Sequence, residues 1–485
     1  MNKFSISITI WYLFICLFVE AHSGKAQFHV IIDTDGAADD LRSICMILSN
    51  REIKTLAITT SEGALRPADA ALKANALLYH FHHQGVPVGV GRSLHLPASM
   101  RRRQSEQIVW GDITDIPAPV QTAKELMTQE IETEEEMVII FCFGPLTNVH
   151  DVLTEKPELK DRIERVIWYN SSANHLLDVN YKSDPVSADA ILASGVRVDI
   201  VSGVGEHELM IDEQYVNMLS GVKNNRYAAK ILETHAGNIL KPMVELNQLK
   251  MENDLAVIYL FYPPLFTGNT INSSVKLYSI ENSRMANFMK MLAIEILEGK
   301  PDNESRVFFG FPDNPDFYAD DVAPVVQKII ALHGRSEWRA GALTNELHGH
   351  LGIYAIIGVK MGIRAREFFN IGVDDITVVT YAGLQPPVSC LNDGLQVSTG
   401  GTLGHGLISV ADDENIRPEA TFTFKNKTLR LQLKAEYALK IRQDVENAIQ
   451  QYGNLTTPYW QKIRELAIKY WEEFDRNLIF EMSWR

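Results

Sequence analysis

Four aspartates, Asp33, Asp35, Asp39 and Asp40, fall within eight residues in the stretch Val30 to Asp40, Val-Ile-Ile-Asp-Thr-Asp-Gly-Ala-Ala-Asp-Asp. Carboxylates held this close raise one another's pKa unless positive charge intervenes, so the spacing asks for a cation. A hard divalent ion with oxygen ligands is the economical answer. Calcium accepts about six to eight oxygens in irregular geometry, whereas magnesium demands a stricter octahedron. The plainer alternative is an acidic helix cap with spare surface aspartates.

Positioning these groups requires a strand followed at once by a helix. Phe28 to Ile32 is apolar, branched and aromatic, the pattern of a buried parallel strand, and Leu41, Ile44, Cys45 and Leu48 then recur at helical spacing. Asp33 and Asp35 therefore end the strand and Asp39 and Asp40 open the helix, at a sheet's carboxyl edge, where open α/β folds bind ligands. Further strands are expected at Ile53 to Thr60, Val86 to Val90, Met137 to Phe143 and Arg162 to Tyr169, with a helix from Pro67 to His83. Strands alternating with helices imply a parallel sheet. His82 and His83 read as imidazoliums favouring a helix C-terminus.

Asp-Thr-Asp-x-x-x-Asp-Asp near the start of a chain resembles the inosine-uridine-preferring nucleoside hydrolases, and three later segments fit the same family. Gly144-Pro145-Leu146-Thr147-Asn148 matches its strand-to-helix punctuation, Asp178 to Pro185 resembles its Ala-Glu-Phe-Asn-Ile-x-x-Asp-Pro segment, and Asn253-Asp254-Leu255-Ala256-Val257 resembles its His-Asp-Pro-x-Ala-Val. The resemblance implies an open, mostly parallel α/β sheet flanked by helices. It implies calcium held by Asp35, Asp40, Asp254 and the main-chain carbonyl of Phe143, with Asp35 as general base and Asp39, Asp178, Asn180 and Asn253 facing the substrate. The implied reaction is calcium-dependent hydrolysis of the N-glycosidic bond of a ribonucleoside or related N-riboside, giving ribose and free base.

Two departures keep other readings open. Asn253 stands where many members carry the histidine that protonates the leaving base, and an amide is no acid; the asparagine expected after the second strand is also missing from Thr60-Ser61-Glu62-Gly63-Ala64. A nucleoside- or sugar-binding protein on the same fold is therefore the alternative. Asp33-Thr34-Asp35-Gly36 also matches four positions of the haloacid-dehalogenase-type phosphatase signature, but Ala37 breaks it and Asp39-Asp40 go unexplained.

The remaining chain frames this site. Lys3 and the apolar run from Ile6 to Val19, ahead of Gly24-Lys25-Ala26, resemble a signal peptide over residues 1–26, implying a periplasmic or secreted protein with no membrane span after processing. A net charge of −15 argues against a nucleic-acid partner. Removing the signal leaves Cys45, Cys142 and Cys390, an odd and widely spaced set that makes no disulfide framework. Oligomeric state stays open, a homo-oligomer included.

The hydrolase-like domain is expected over 27–335 and a smaller α+β domain over 340–485. In the latter, Leu347-His348-Gly349-His350-Leu351-Gly352, Cys390 to Gln396 and Thr399 to Gly406 resemble the E-type domain of the formylmethanofuran dehydrogenases. Gly352 and Gly401 replace two of its cysteines, while His348, His350, Cys390 and His405 remain as a candidate zinc set. Glycines serving turns and histidines serving hydrogen bonds are the alternative.

Overall fold

A computed structural model of the chain describes residues 26–172, 174–203, 209–280, 285–299, 307–308, 310–373 and 375–485. Apart from Ala26, the expected signal peptide lies outside them. Among the described residues no helix is long and apolar enough to cross a membrane.

The first domain is built on an eight-stranded sheet of β1 (Phe28–Thr34), β2 (Ile53–Thr60), β3 (Val88–Val90), β4 (Val138–Cys142), β5 (Ile163–Asn170), β6 (Val198–Ser202), β7 (Thr267–Thr270) and β8 (Val275–Ser279). Their spatial order is β3-β2-β1-β4-β5-β6-β8-β7, and every pair is parallel except β7 with β8. Strand side chains alternate between two apolar layers. Val30 and Ile32 of β1 join one core with Phe141 of β4, and Ile31 joins the other with Ile140 and Cys142. This two-faced burial explains the continuous apolar runs in the sequence. Because the chain moves outward through β2 and β3 and returns to β4, the sheet's switch point lies between β1 and β4. The carboxyl ends of those strands lead directly into Asp35 and Phe143.

The second domain carries a five-stranded sheet of β9 (Thr377–Thr380), β10 (Ile408–Val410), β11 (Glu419–Phe424), β12 (Lys427–Leu433) and β13 (Phe480–Trp484), ordered β10-β9-β11-β12-β13. The apolar helix Ile353–Phe369 belongs to this domain, with Ile356, Ile357, Met361 and Phe368 in the same core as strand residues Val378 and Phe422. That core also takes in Val322, Val326 and Ile329, upstream of the boundary expected from sequence. Gly334, at φ +86°, separates the helix Val326–His333 from the helix Arg335–His348, but the apolar side chains preceding it still pack with Trp338.

Polar groups join the domains. Glu367 receives Arg476 at 3.1 Å and Arg226 of the first domain, and the Gly85 amide donates to the Phe368 carbonyl at 2.8 Å. His83 lies buried in this seam. Its Nδ1 meets the Glu367 carbonyl at 2.5 Å and its Nε2 the Tyr227 hydroxyl at 2.7 Å. Imidazoliums at a helix end are therefore not what the structure contains. The helix stops at His80, and burial lowers His82 to about 4 and His83 to about 3, so both rings are neutral at pH 7.

Candidate active site

The turn after β1 is held by its own carboxylates. Asp33 accepts from Thr59 Oγ1 and Asn148 Nδ2, each at 2.7 Å, tying β1 to β2 and to the helix after β4; burial pushes it up to about 6. Asp40 stands in the first turn of the helix Ala38–Ser49. Its Oδ2 accepts from the amides of Asp35 and Gly36 at 3.1 Å and from the Thr34 hydroxyl. The Asp40 carboxyl is pushed well up by burial and then by Asp35 and Asp39.

Asp35 is completely buried. Its Oδ2 accepts from the Ala64 amide at 3.0 Å, and its Oδ1 has no hydrogen-bond partner among the described residues. A Cβ at Gly63 would lie 2.2 Å from Asp35 Oδ2, and one at Gly144 would lie 2.9 Å from Asp35 Cβ, so both glycines are needed for the backbone to close around it. Burial raises the Asp35 carboxyl, opposed by Arg101, whose Nη2 lies 3.9 Å from Oδ2.

Asn253 bridges the helix start from the far side. Its Nδ2 donates to Asp39 Oδ2 at 2.7 Å and to Asp40 Oδ1 at 2.6 Å, leaving its Oδ1 buried and unpartnered. Asp254 has a partner that the sequence reading did not anticipate. Arg42 Nη2 donates to Asp254 Oδ2 at 2.8 Å and Arg42 Nε to Oδ1 at 3.2 Å, with both side chains fully buried.

Across the switch point, the Phe143 carbonyl accepts from Asn180 Nδ2 at 3.1 Å, and Asn180 Oδ1 is buried and unpartnered. Asp178 is occupied as the N-cap of the short helix Val179–Ser183. It accepts from the Asn180 amide at 2.7 Å through Oδ1 and from the Ser171 amide and hydroxyl at 2.7 Å through Oδ2. The structure thus gathers Asp35, Asp39, Asp40 and Asn253 around one helix start and sets Phe143 just past the end of β4, beside Asp178 and Asn180 at the start of the short helix Val179–Ser183.

Sequence reasoning missed four residues here. Arg42 and Arg101 bring positive charge. Glu62, just after β2, accepts from the amides of Leu94, His95 and Leu96 at 2.5, 3.0 and 3.1 Å and from Arg102 Nη2 at 2.9 Å, anchoring the loop before the helix Met100–Gln107 that carries Arg101. Glu252 is pushed up to about 7 by burial and Asp39, against Arg101. The only sequence signal was the basic run Arg101-Arg102-Arg103.

The second domain brings His348 and His350 together, their ring centroids 4.3 Å apart, but among the described residues it does not gather all four expected ligands at one point. His348 and Cys390 line one cavity of about 370 Å³, with Asn392, Asp393 and Gln396. His348 Nδ1 lies 2.7 Å from Asp393 Oδ2, while its Nε2 is buried without a partner. His350 instead lines a second cavity of about 460 Å³ beside Trp338 and Trp471. His405 is exposed, with Nδ1 3.0 Å from the Gly400 carbonyl. A Cβ at Gly352 would lie 3.0 Å from His348 Nε2, so the imidazole fills the space a cysteine there would need.

Residues 30–303 match the family profile described as inosine-uridine preferring nucleoside hydrolase, and residues 347–478 match that described as FmdE, molybdenum formylmethanofuran dehydrogenase operon. The pyrimidine-specific ribonucleoside hydrolase RihA of Shewanella oneidensis is 24% identical over 292 residues, covering 58% of this chain and 91% of that protein. RihA of Escherichia coli O1:K1 / APEC is 28% identical over 183 residues, 35% of this chain and 58% of that protein. Among solved structures, the purine-preferring ribonucleoside hydrolase from Gardnerella vaginalis aligns at a TM-score of 0.45 with 18% identity, covering 56% of this chain and 99% of that one. The plant nucleoside hydrolase PpNRh1 aligns at a TM-score of 0.47, also with 18% identity and the same coverage.

Proposed function

The chain belongs, through residues 30–303, to the inosine-uridine preferring nucleoside hydrolase family, enzymes acting on N-glycosyl bonds, and from that premise we propose that it hydrolyses a ribonucleoside or related N-riboside to ribose and free base. One observation carries the proposal: Asp35 keeps a buried carboxylate oxygen with no hydrogen-bond partner among the described residues, just beyond the carboxyl end of β1 at the sheet's switch point.

Asp35 takes a proton from a water as the water oxygen bonds to the anomeric carbon. The carbon–nitrogen bond breaks and its electron pair leaves with the base, which takes a proton from solvent to become the free base while Asp35 gives its proton back to solvent. Positive charge grows on the sugar in this transition state, and the Asp39 carboxylate opposes it. Asn180 Oδ1, another unpartnered buried acceptor nearby, is assigned to a ribose hydroxyl, and Asp178 to capping the short helix Val179–Ser183 that carries Asn180. Asn253 does not supply the leaving base's proton, because an amide is no acid and its nitrogen serves Asp39 and Asp40.

The family resemblance also implies calcium on Asp35, Asp40, Asp254 and the Phe143 carbonyl. The donors as arranged do not fit that set. Asp254 is engaged through both oxygens by Arg42, and Asp40 Oδ2 already accepts three hydrogen bonds. Among the described residues no three His, Cys, Asp or Glu side chains converge on a point that could hold a metal ion, in either domain. The steps above accordingly use the chain's own groups. Export is proposed from the N-terminal segment alone.

The test is release of ribose from a panel including uridine, cytidine, inosine and nicotinamide riboside by the purified chain, with calcium, with chelator and with Asp35→Ala. Release abolished by the substitution supports the hydrolase. Bound nucleoside without release supports the alternative of a binding protein, which the amide at position 253 favours.

A further inference from the structure

We infer that Arg42 is the built-in counter-charge of this acidic centre, taking the place of a divalent cation at Asp254, so that Asp254 is not a metal ligand in this chain. The argument begins on the helix Ala38–Ser49, where every residue from Asp39 to Leu48 is buried. An arginine there cannot extend to solvent. Burying a guanidinium costs several kcal/mol unless a carboxylate meets it in good geometry, and Asp254 does so through both oxygens. The second Nη2 hydrogen goes to the Lys250 carbonyl at 2.8 Å, which fixes the loop leading to the helix Asp254–Phe261.

A divalent ion on Asp254 would have to share a carboxylate already forked by Arg42 through both oxygens and would stand beside a fixed positive charge in a poorly screened interior. Like charges a few ångströms apart repel strongly in such an interior. The same guanidinium leaves Nη1 buried without a hydrogen-bond partner among the described residues, so the site accepts an unsatisfied donor in order to keep the pair. Arg101, facing Asp35 from the helix Met100–Gln107, adds a second positive charge at the other end of the cluster. Two guanidiniums thus supply what the close-spaced aspartates require.

The experiment reads metal binding, not turnover, and so stands apart from the proposed hydrolysis. Calcium content by elemental mass spectrometry, calcium titration by calorimetry and thermal unfolding with calcium or chelator are measured on the full chain, on Arg42→Leu and on Arg42→Leu combined with Asp254→Asn. The native chain is expected to hold no stoichiometric calcium and to unfold at the same temperature with chelator. Arg42→Leu is expected to gain calcium binding, raising its midpoint by roughly 5–10 °C at calcium one hundred-fold above the dissociation constant. The added Asp254→Asn removes that gain. One calcium per native chain, with a midpoint that falls under chelator, overturns the inference even if the variants do not fold.

Discussion

Asn253 lies 2.6 Å from Asp40 through its amide nitrogen, and the same nitrogen reaches Asp39 at 2.7 Å, so one neutral side chain holds two carboxylates of a helix start side by side. Replacing it by aspartate turns the two donors into a third carboxylate. Asn253→Asp is expected to lose about 1–3 kcal/mol of stability from the unmade hydrogen bonds, with like-charge repulsion added. Urea unfolding measures this, and a variant as stable as the parent refutes the bridging role.

Asp35→Asn separates chemistry from folding. The amide oxygen still accepts from the Ala64 amide, but the group no longer takes a proton from water. Ribose release is expected to fall by about 10²–10⁴-fold. The thermal midpoint should stay level or rise, because a buried charge has been removed. A near-native rate would dismiss Asp35 as the base.

Glu62→Gln tests the loop that delivers Arg101. The carboxylate gathers three backbone amides and the buried Arg102, and a neutral amide cannot serve all of them. Amide hydrogen exchange over residues 93–107 should accelerate while the sheet stays protected. Unchanged exchange in that segment would place the anchor elsewhere.

The domain seam sets an acid limit. Burial and Arg226 hold His83 at about 3, below the roughly 6.5 of an unfolded histidine. Between those values the unfolded chain binds the extra proton, so this contribution is complete above pH 6.5 and is lost as pH falls toward 3. The slope from one such group approaches about 1.4 kcal/mol per pH unit. His83→Asn should flatten the stability profile between pH 4 and 6.5, and a parallel profile would assign the acid sensitivity to other groups.

How much of this was legible beforehand depended on distance along the chain. Residues 28–40 announced a buried strand, a turn and an acidic helix start, because strand and helix periodicity and the helix's need for capping acceptors are local properties. The same holds for the glycine and proline punctuation of residues 144–148. Asp33 and Asn148 also share a motif pattern, yet their 2.7 Å hydrogen bond follows from β1 and β4 being neighbours.

The charge balance was not local. Arg42 and Asp254 are 212 residues apart, and Arg42 lies among apolar helical positions that give no sign of an ion pair. The sequence reading asked for a cation beside these carboxylates without seeing that folding also places a guanidinium against one of them.

At His348 and His350 proximity in sequence did become proximity in space, the two ring centroids lying 4.3 Å apart. The helix Arg335–His348 ends at Gly349, whose φ of +79° turns the chain, and beyond that contact His348 lines the cavity with Cys390 while His350 lines the one beside Trp338 and Trp471. Sequence alone determined which elements form and which residue types stand at their ends. The tertiary structure decided which of those residues meet, since a charged or ligating side chain acquires its partner only when sheet order and chain reversals bring distant backbone together.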